Sequence, residues 1–231
     1  MALANVALET SRLVPYELDG HVRRTNIEHL RNVVAVRRVP LCRCCVGTEE
    51  NLETCSIDIS YAETIQGWMT PRELRWLAEQ AERIPAGGSL VEIGVYKGRS
   101  TCALAAHTAG TVYSVDIWSE AGTDGWYYDV FRQNTERYPN IVAVNRASVW
   151  AAREFAAQGK RFGFVFIDAS HDQYNVRQDI LAWRPLLADG GVFAGHDYSP
   201  SCGWPDVKMI VDELIPGVQN PVDAIWVAPK N

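Results

Sequence analysis

No stretch of the 231-residue chain approaches the ~20 uninterrupted apolar residues that a membrane-spanning helix needs. The first ten residues, Met-Ala-Leu-Ala-Asn-Val-Ala-Leu-Glu-Thr, lack a basic lead and a longer apolar block, so no secretory signal is read there and a cytoplasmic location is expected. A basic surplus is missing too. The net charge is −6, which argues against binding to nucleic-acid backbones. With 47% hydrophobic and 22% charged residues, wholesale disorder and fibrous classes are excluded. Neither Gly-x-Gly-x-x-Gly nor Gly-Lys-Ser/Thr occurs in the glycine-containing turn described below, which disfavours a dehydrogenase and a P-loop enzyme.

A second Cys-x-x-Cys pair is also absent. Four of the six cysteines, Cys42, Cys44, Cys45 and Cys55, crowd together as Cys-x-Cys-Cys-x9-Cys, in which Cys42 and Cys45 alone have that spacing. Either a zinc ion or a set of reduced thiols in an interface segment accounts for them, and disulfides are not expected in a reducing compartment.

The charge is unevenly spread. Arg23, Arg24, Arg31, Arg37, Arg38 and Arg43 stand against Glu28 alone, giving +5 over residues 21–43 and leaving −11 for the remainder. Residues 1–60 show no sustained period and are interrupted by Pro15, Gly20, Pro40 and Gly47. The chain is therefore divided into an N-terminal extension, 1–60, and a main domain, 61–231. Leu30, Val33, Val34 and Val36 give the extension apolar surface to cover, so it is read first as an oligomerisation segment of a homo-oligomer. A lid over an acceptor, binding of an anionic acceptor and a solvated helix remain alternatives.

From Thr70 the signals become regular. Thr70-Pro71-Arg72-Glu73 supplies an N-cap, a proline at the first helical position and a glutamate at the third, a capping box. Leu74, Leu77 and Ala81 form one apolar face of the helix that follows. Strands are then expected over 89–96, 111–118, 141–145, 162–168, 191–195 and 224–228. Helices are expected over 100–108, 126–138, 149–158, 173–187 and 206–214. Apolar runs such as Phe164-Val165-Phe166-Ile167 suit a parallel sheet buried on both faces. The alternation calls for a doubly wound α/β fold, whose ligands bind beyond the carboxyl ends of the strands.

Two groups of residues sit at such ends. Gly94 and Gly98 permit a tight turn at the close of the first strand, and Asp116 ends the second strand 22 residues after Gly94. An acidic group at about that distance accepts hydrogen bonds from a ribose diol, so a nucleoside-containing ligand is favoured. Asp168 and the pair His196-Asp197 close the fourth and fifth strands, which brings their side chains together beside that pocket. As turn or capping residues they would have no chemistry.

The run Glu92-Ile93-Gly94-Val95-Tyr96-Lys97-Gly98-Arg99-Ser100-Thr101, followed by Asp116, resembles motif I and the acidic strand end of class I S-adenosylmethionine-dependent methyltransferases. Phe164 to His171, Asp179-Ile180 and Gly190 to Tyr198 narrow the resemblance. Together they look like the family that includes metal-dependent sugar O-methyltransferases of antibiotic biosynthesis and cephalosporin-hydroxylase-like proteins. The resemblance spans about residues 64–229. It implies a Rossmann-like, mostly parallel seven-stranded sheet and a methyltransferase acting on a hydroxyl of a small molecule.

Carried over by position, the resemblance places Glu92, Gly94 and Gly98 around the methionine part of S-adenosylmethionine, with Tyr96, Ser100 and Ile117 also touching the cofactor. It gives Asp116 the ribose hydroxyls and puts Asp168 beside the cofactor. Many relatives carry an Asp-Ser pair near the adenine amino group. Here the pair reads Ala147-Ser148, so that carboxylate is absent and Ser148 alone is left for adenine. The resemblance further implies a divalent ion held by Asp168, His196 and Asp197, with Mg2+ or Mn2+ expected. Oxygen ligands suit Mg2+, whereas a histidine favours softer ions. His196 as a structural hydrogen-bonding partner of Asp197 is the alternative.

The resemblance implies a general base three residues beyond Asp168, and His171, which can take a proton near neutral pH, is read as that base. Capping the next helix and coordinating the metal are its other readings. Trp118, Trp126, Tyr127 and Tyr128 are read as a lid or as core, and Asp172, Tyr174 and Tyr198 as possible acceptor contacts. His107 is read as structural. Rival functions are a non-catalytic methyltransferase-like assembly module, a hydroxylase-like enzyme and a catechol-type O-methyltransferase.

Overall fold

The computed structural model describes residues 57–119 and 126–229. The arginine-rich stretch, the four clustered cysteines and almost all of the 1–60 extension lie outside the described residues, as does any oligomeric contact they make.

Seven strands form one sheet: β1 (Ser89–Ile93), β2 (Thr111–Asp116), β3 (Ile141–Asn145), β4 (Phe162–Ile167), β5 (Leu187–Gly195), β6 (Gln219–Val222) and β7 (Ile225–Val227). Their order is β3-β2-β1-β4-β5-β7-β6, with parallel pairing from β3 through β5 and antiparallel pairing of β7 to both neighbours. The order reverses between β1 and β4, the switch point at which a doubly wound sheet opens a crevice. The expected seven-stranded Rossmann-like architecture is therefore present.

Among the described residues seven α-helices accompany it: α1 (Ser60–Thr64), α2 (Pro71–Glu82), α3 (Arg99–Ala106), α4 (Trp126–Thr135), α5 (Ser148–Ala157), α6 (Gln173–Trp183) and α7 (Pro205–Leu214). The period-2 alternation of strand side chains decides which helices cover which face. Leu90, Val112, Phe164 and Phe166 point into a core with Leu74, Leu77, Ala81 and Leu104 of α2 and α3. Val91, Ile93, Val115, Val165 and Ile167 point the other way, against Phe155, Ile180, Trp183 and Ile210 of α5, α6 and α7. Phe164, Val165 and Phe166 are fully buried, as strands covered on both faces must be. Each such side chain contributes roughly 1.5–3 kcal/mol of burial free energy.

The capping box forms: Thr70 Oγ1 accepts from the Glu73 N–H at 3.2 Å, and the Thr70 N–H donates to Glu73 Oε2 at 2.8 Å. Differences from expectation have local causes. β1 and β2 stop at Ile93 and Asp116, because the chain leaves the sheet to line the cleft. β5 begins four residues early, at Leu187 rather than Gly191, since an irregularity in its pairing with β4 absorbs Asp189-Gly190. β6 was not expected. Its Gln-Asn-Pro-Val lacks an apolar run and is held by pairing to β7 instead. β3, though apolar in sequence, is partly exposed as the last strand on its side among the described residues. No helix of the described residues is long and apolar enough to cross a membrane.

Candidate active site

The carboxyl ends of β1, β2, β3, β4 and β5 open into a cleft of about 1470 Å³. Its centre is the turn from β1 into α3. Gly94 adopts φ +81°, and a Cβ there would sit 2.1 Å from the Asp168 carbonyl oxygen, so only glycine fits between the two strand ends. Tyr96 also takes a left-handed φ of 48°, strain that must be held by its surroundings.

Asp116 supplies that hold. Its Oδ2 accepts from the Val95 and Tyr96 N–H groups at 2.9 and 3.0 Å, and its Oδ1 accepts from the Trp118 N–H at 2.7 Å. A carboxylate offers about four acceptor sites, so capacity remains for a ligand hydroxyl after the turn has been anchored. Ser100, Tyr96 and the half-exposed Ile117 line the cleft with it. Glu92 does not. It is fully buried beneath the turn, and its Oε2 accepts from the Thr101 hydroxyl. Burial, aided by the negative charges of Asp168 and Asp116, pushes its carboxyl up to about 8 against hydrogen bonds from Ser100 and Thr101. Gly98 likewise stays outside the cleft lining and serves as the N-cap of α3.

One lip of the cleft is the segment before α2. Arg99 clamps it by donating to the carbonyls of Ala62, Glu63, Ile65 and Met69. Lys97, buried, donates to Gln66 at 2.7 Å and lies within 4.8 Å of the Tyr96 ring centre and 4.5 Å of that of Trp126. Trp68 on this lip stays 79% exposed. Trp118 is not a lid. It is buried against Tyr128 and Phe131, with its Nε1–H donated to the Tyr96 carbonyl at 3.0 Å.

The ends of β4 and β5 build the second part of the site. Asp168, His171 and Asp197 each offer a ligand atom within 4.8 Å of the others, a carboxylate-carboxylate-imidazole set fit to hold a divalent ion. Asp197 stands at φ 63°, a left-handed conformation that aims its carboxylate between the two histidines. His171 Nε2 lies 2.9 Å from Asp197 Oδ2, and its ring stacks on Trp204 at 4.3 Å between centres. The bond to Asp197 raises the His171 pKa above the usual histidine value. The helix-capping reading of His171 is displaced by Asp172, whose side chain accepts from the Asn175 N–H at 3.0 Å.

His196 faces Glu73 with one ring nitrogen and the two expected carboxylate ligands with the other. Its Nε2 lies 3.0 Å from Glu73 Oε1, and its Nδ1 lies 3.4 Å from Asp197 Oδ1 and 3.6 Å from Asp168 Oδ1. Burial alone would lower its pKa, but bonds to Asp197 and Glu73 and the Asp168 charge push it up to about 11. Against its burial, hydrogen bonds from His171 and His196 hold Asp197 well below the usual carboxylate range, whereas burial pushes Asp168 up to about 6.

Ser148 lines the cleft at the first turn of α5, next to Ala147, Val149 and Trp150. Its hydroxyl bonds to the carboxylate of Asp179, buried in α6, and accepts from Trp183 Nε1–H at 2.8 Å. Of the other expected contacts, Tyr198 turns to Asp212 and Lys208 and does not line the cleft, and Tyr174 is 70% exposed. His107 is structural, bonded to the Asp58 carbonyl at 2.8 Å. Sequence reasoning missed Glu73, Trp204 and Asp179. Glu73 was visible only as a helix cap, and nothing local signals that the same carboxylate reaches His196.

A seven-stranded sheet of this order, with a glycine turn and an acidic strand end at its switch point, defines the class I methyltransferase fold. Residues 91–198 match the methyltransferase domain family. An O-methyltransferase from Bacillus cereus in complex with SAH superposes with TM-score 0.56 at 18% identity, over 74% of this chain and 87% of that one. Cofactor-bound Rv0187 from MTB gives 0.56 at 19%, over 75% and 88%. CalS11, a TDP-rhamnose 3′-O-methyltransferase of calicheamicin biosynthesis, gives 0.51 at 16%, over 67% and 76%. At these identities the solved structures establish the shared fold. Residues 91–198 thus carry a methyltransferase domain, set in a sheet with the class I methyltransferase fold.

Proposed function

We propose that this methyltransferase moves the methyl group of S-adenosylmethionine to a hydroxyl of a small vicinal diol, a sugar above all, with a divalent ion, Mg2+ or Mn2+, at Asp168 and Asp197. The observation that carries this reading is the adjacency of two devices in one cleft: the turn anchored by Asp116 and the Asp168-His171-Asp197 cluster. The cradle left by Gly94 fits a flexible ligand chain passing over the end of β1. The similarity to an SAH complex and to a sugar O-methyltransferase supports the same assignment.

A sulfonium, when bound, supplies a methyl group open to in-line displacement, and a divalent ion supplies positive charge that lowers the pKa of a nearby hydroxyl. The protein's share is orientation and proton transfer. With Nε2–H given to Asp197, the neutral His171 ring keeps its basic lone pair on Nδ1. Asp197 fixes that tautomer, Trp204 holds the ring plane, and His171 takes the acceptor's proton as the new C–O bond forms. Exposed Trp68 and Trp204 offer flat apolar faces to the carbon skeleton of an acceptor.

A second reading makes His171 a third metal ligand, since its nitrogen lies within the same 4.8 Å cluster. The test is calorimetric binding of S-adenosylhomocysteine, followed by a methyl-transfer screen over sugars, nucleotide sugars and catechols before and after exhaustive chelation. Cofactor binding with chelator-sensitive transfer to a diol is the expected result. Full activity after chelation removes the ion from the reaction, and absence of cofactor binding returns the protein to an assembly role.

A further inference from the structure

Asp179 is the buried titratable group that the reaction above does not use. It is only 4% exposed, yet it lines the cleft from the middle of α6. Its Oδ1 takes the hydroxyl proton of Ser148, and that proton has no other destination, because Ser148 Oγ already accepts from Trp183 Nε1–H. Its Oδ2 receives no hydrogen bond from the described residues. Burial pushes the carboxyl up to about 6, as expected of a carboxylate short of donors.

The wall beside it has the opposite need. α5 begins at Ser148 with Ala147 as its N-cap, and no side chain caps its first turn. The Trp150 and Ala151 N–H groups turn back to the Ala147 carbonyl, whereas the two amides before them, those of Ser148 and Val149, have no helical partner. A buried acceptor and uncapped donors therefore stand side by side. Between this wall and Asp116 the cleft is lined by half-exposed Ile117 and exposed Trp150, apolar surfaces suited to the face of a flat ring.

Resting on the nucleoside-cofactor reading above, we infer that Asp179, oriented by Ser148, is the residue that recognises the exocyclic amino group of the cofactor's purine. The amino group donates to the Asp179 carboxylate, and the adjacent ring nitrogen accepts from an amide of the first turn of α5. This edge pattern, donor beside acceptor, belongs to adenine. Hypoxanthine reverses it, presenting a carbonyl oxygen to the carboxylate and an N–H to the amide. The missing carboxylate at position 147 is thus replaced from a different helix, 32 residues further along the chain.

The experiment compares S-adenosylhomocysteine with its deaminated analogue, S-inosylhomocysteine, by calorimetry on the full chain. The unaltered protein is expected to prefer the adenine compound by roughly tenfold to a hundredfold, because the analogue strands a buried carboxylate. Asp179→Asn, nearly isosteric, can offer an N–H to the carbonyl oxygen, so its preference should collapse toward parity or invert. Ser148→Ala keeps the carboxylate but frees it to rotate, and should lose a smaller part of the preference. Both ligands are measured on each variant, so a general loss of folded protein cancels from the ratio. Equal binding of the two ligands by the unaltered protein overturns the inference, and so does an unchanged ratio in Asp179→Asn. Binding of neither ligand overturns the nucleoside-cofactor reading itself, and this inference with it.

Discussion

His196 Nε2 lies 3.0 Å from Glu73 Oε1, and both side chains are buried, so the carboxyl end of β5 is tied to the first turn of α2 across 123 residues of chain. The same Oε1 also accepts the Ala224 N–H at 2.9 Å, and Oε2 accepts that of Thr70. One carboxylate therefore caps a helix, fastens the turn into β7 and holds the ring of the histidine beside the proposed metal ligands. Glu73→Ala leaves a buried histidine nitrogen and two amides without their partner. It should cost about 3–5 kcal/mol, lowering Tm by on the order of 10 °C in a chain of this size. Glu73→Gln should cost less, and equal melting curves for Glu73→Ala and the unaltered protein would sink the assignment.

Gly94 and Gly159 both have positive φ, at 81° and 65°, but only Gly94 lacks room for a side chain. Gly159→Ala should cost about 1 kcal/mol from backbone strain alone. Gly94→Ala, whose Cβ would stand 2.1 Å from backbone oxygen, must push β1 and β4 apart. It should be several-fold more destabilising in urea and abolish cofactor binding. Similar midpoints for the two variants would refute this account.

Glu92 gives stability a pH dependence of definite sign. Its folded-state pKa of about 8 lies above the ordinary 4.5, so the folded state holds a proton that the unfolded state releases. Stability from this group is full below pH 4.5 and falls as pH rises toward 8, by roughly 3–5 kcal/mol in all. Glu92→Gln should match the unaltered protein near pH 4.5 and exceed it near pH 8.5 in urea titrations. Parallel profiles for the two proteins would show that Glu92 is not the source.

His171 and Trp204 separate proton transfer from positioning. His171→Ala should lower kcat by about 10²–10⁴-fold while S-adenosylhomocysteine still binds. Trp204→Ala, which removes the ring stacked on His171 and one apolar face for the acceptor but no proton-transfer group, should lower it by about tenfold or less. Mn2+ binding followed by electron paramagnetic resonance distinguishes the two roles of His171. Retained affinity in His171→Ala fits the base, and lost affinity fits the ligand.

Much of the architecture was legible from local pattern. Strand β3 and the start of α2 fall where apolar runs and the Thr70-Glu73 box place them, because those signals depend on residues within one element. Asp116, Asp168 and Asp197 were legible as cleft residues, since a parallel sheet sends strand ends to one edge. β6 was not, because Gln219-Asn220-Pro221-Val222 becomes a strand only when β7 is there to pair with it.

The sequence by itself determined the fold class, the switch-point cleft and the chemical types gathered in it, all consequences of period, strand termination and residue identity. Tertiary structure alone decided their partners. It set Glu73 against His196, buried Glu92 under the turn, stacked Trp204 on His171 and carried the Asp179 carboxylate to Ser148. Each of those pairs joins different elements, and a hydrogen bond a few ångströms long depends on how helices seat on the sheet, a geometry that no single segment encodes.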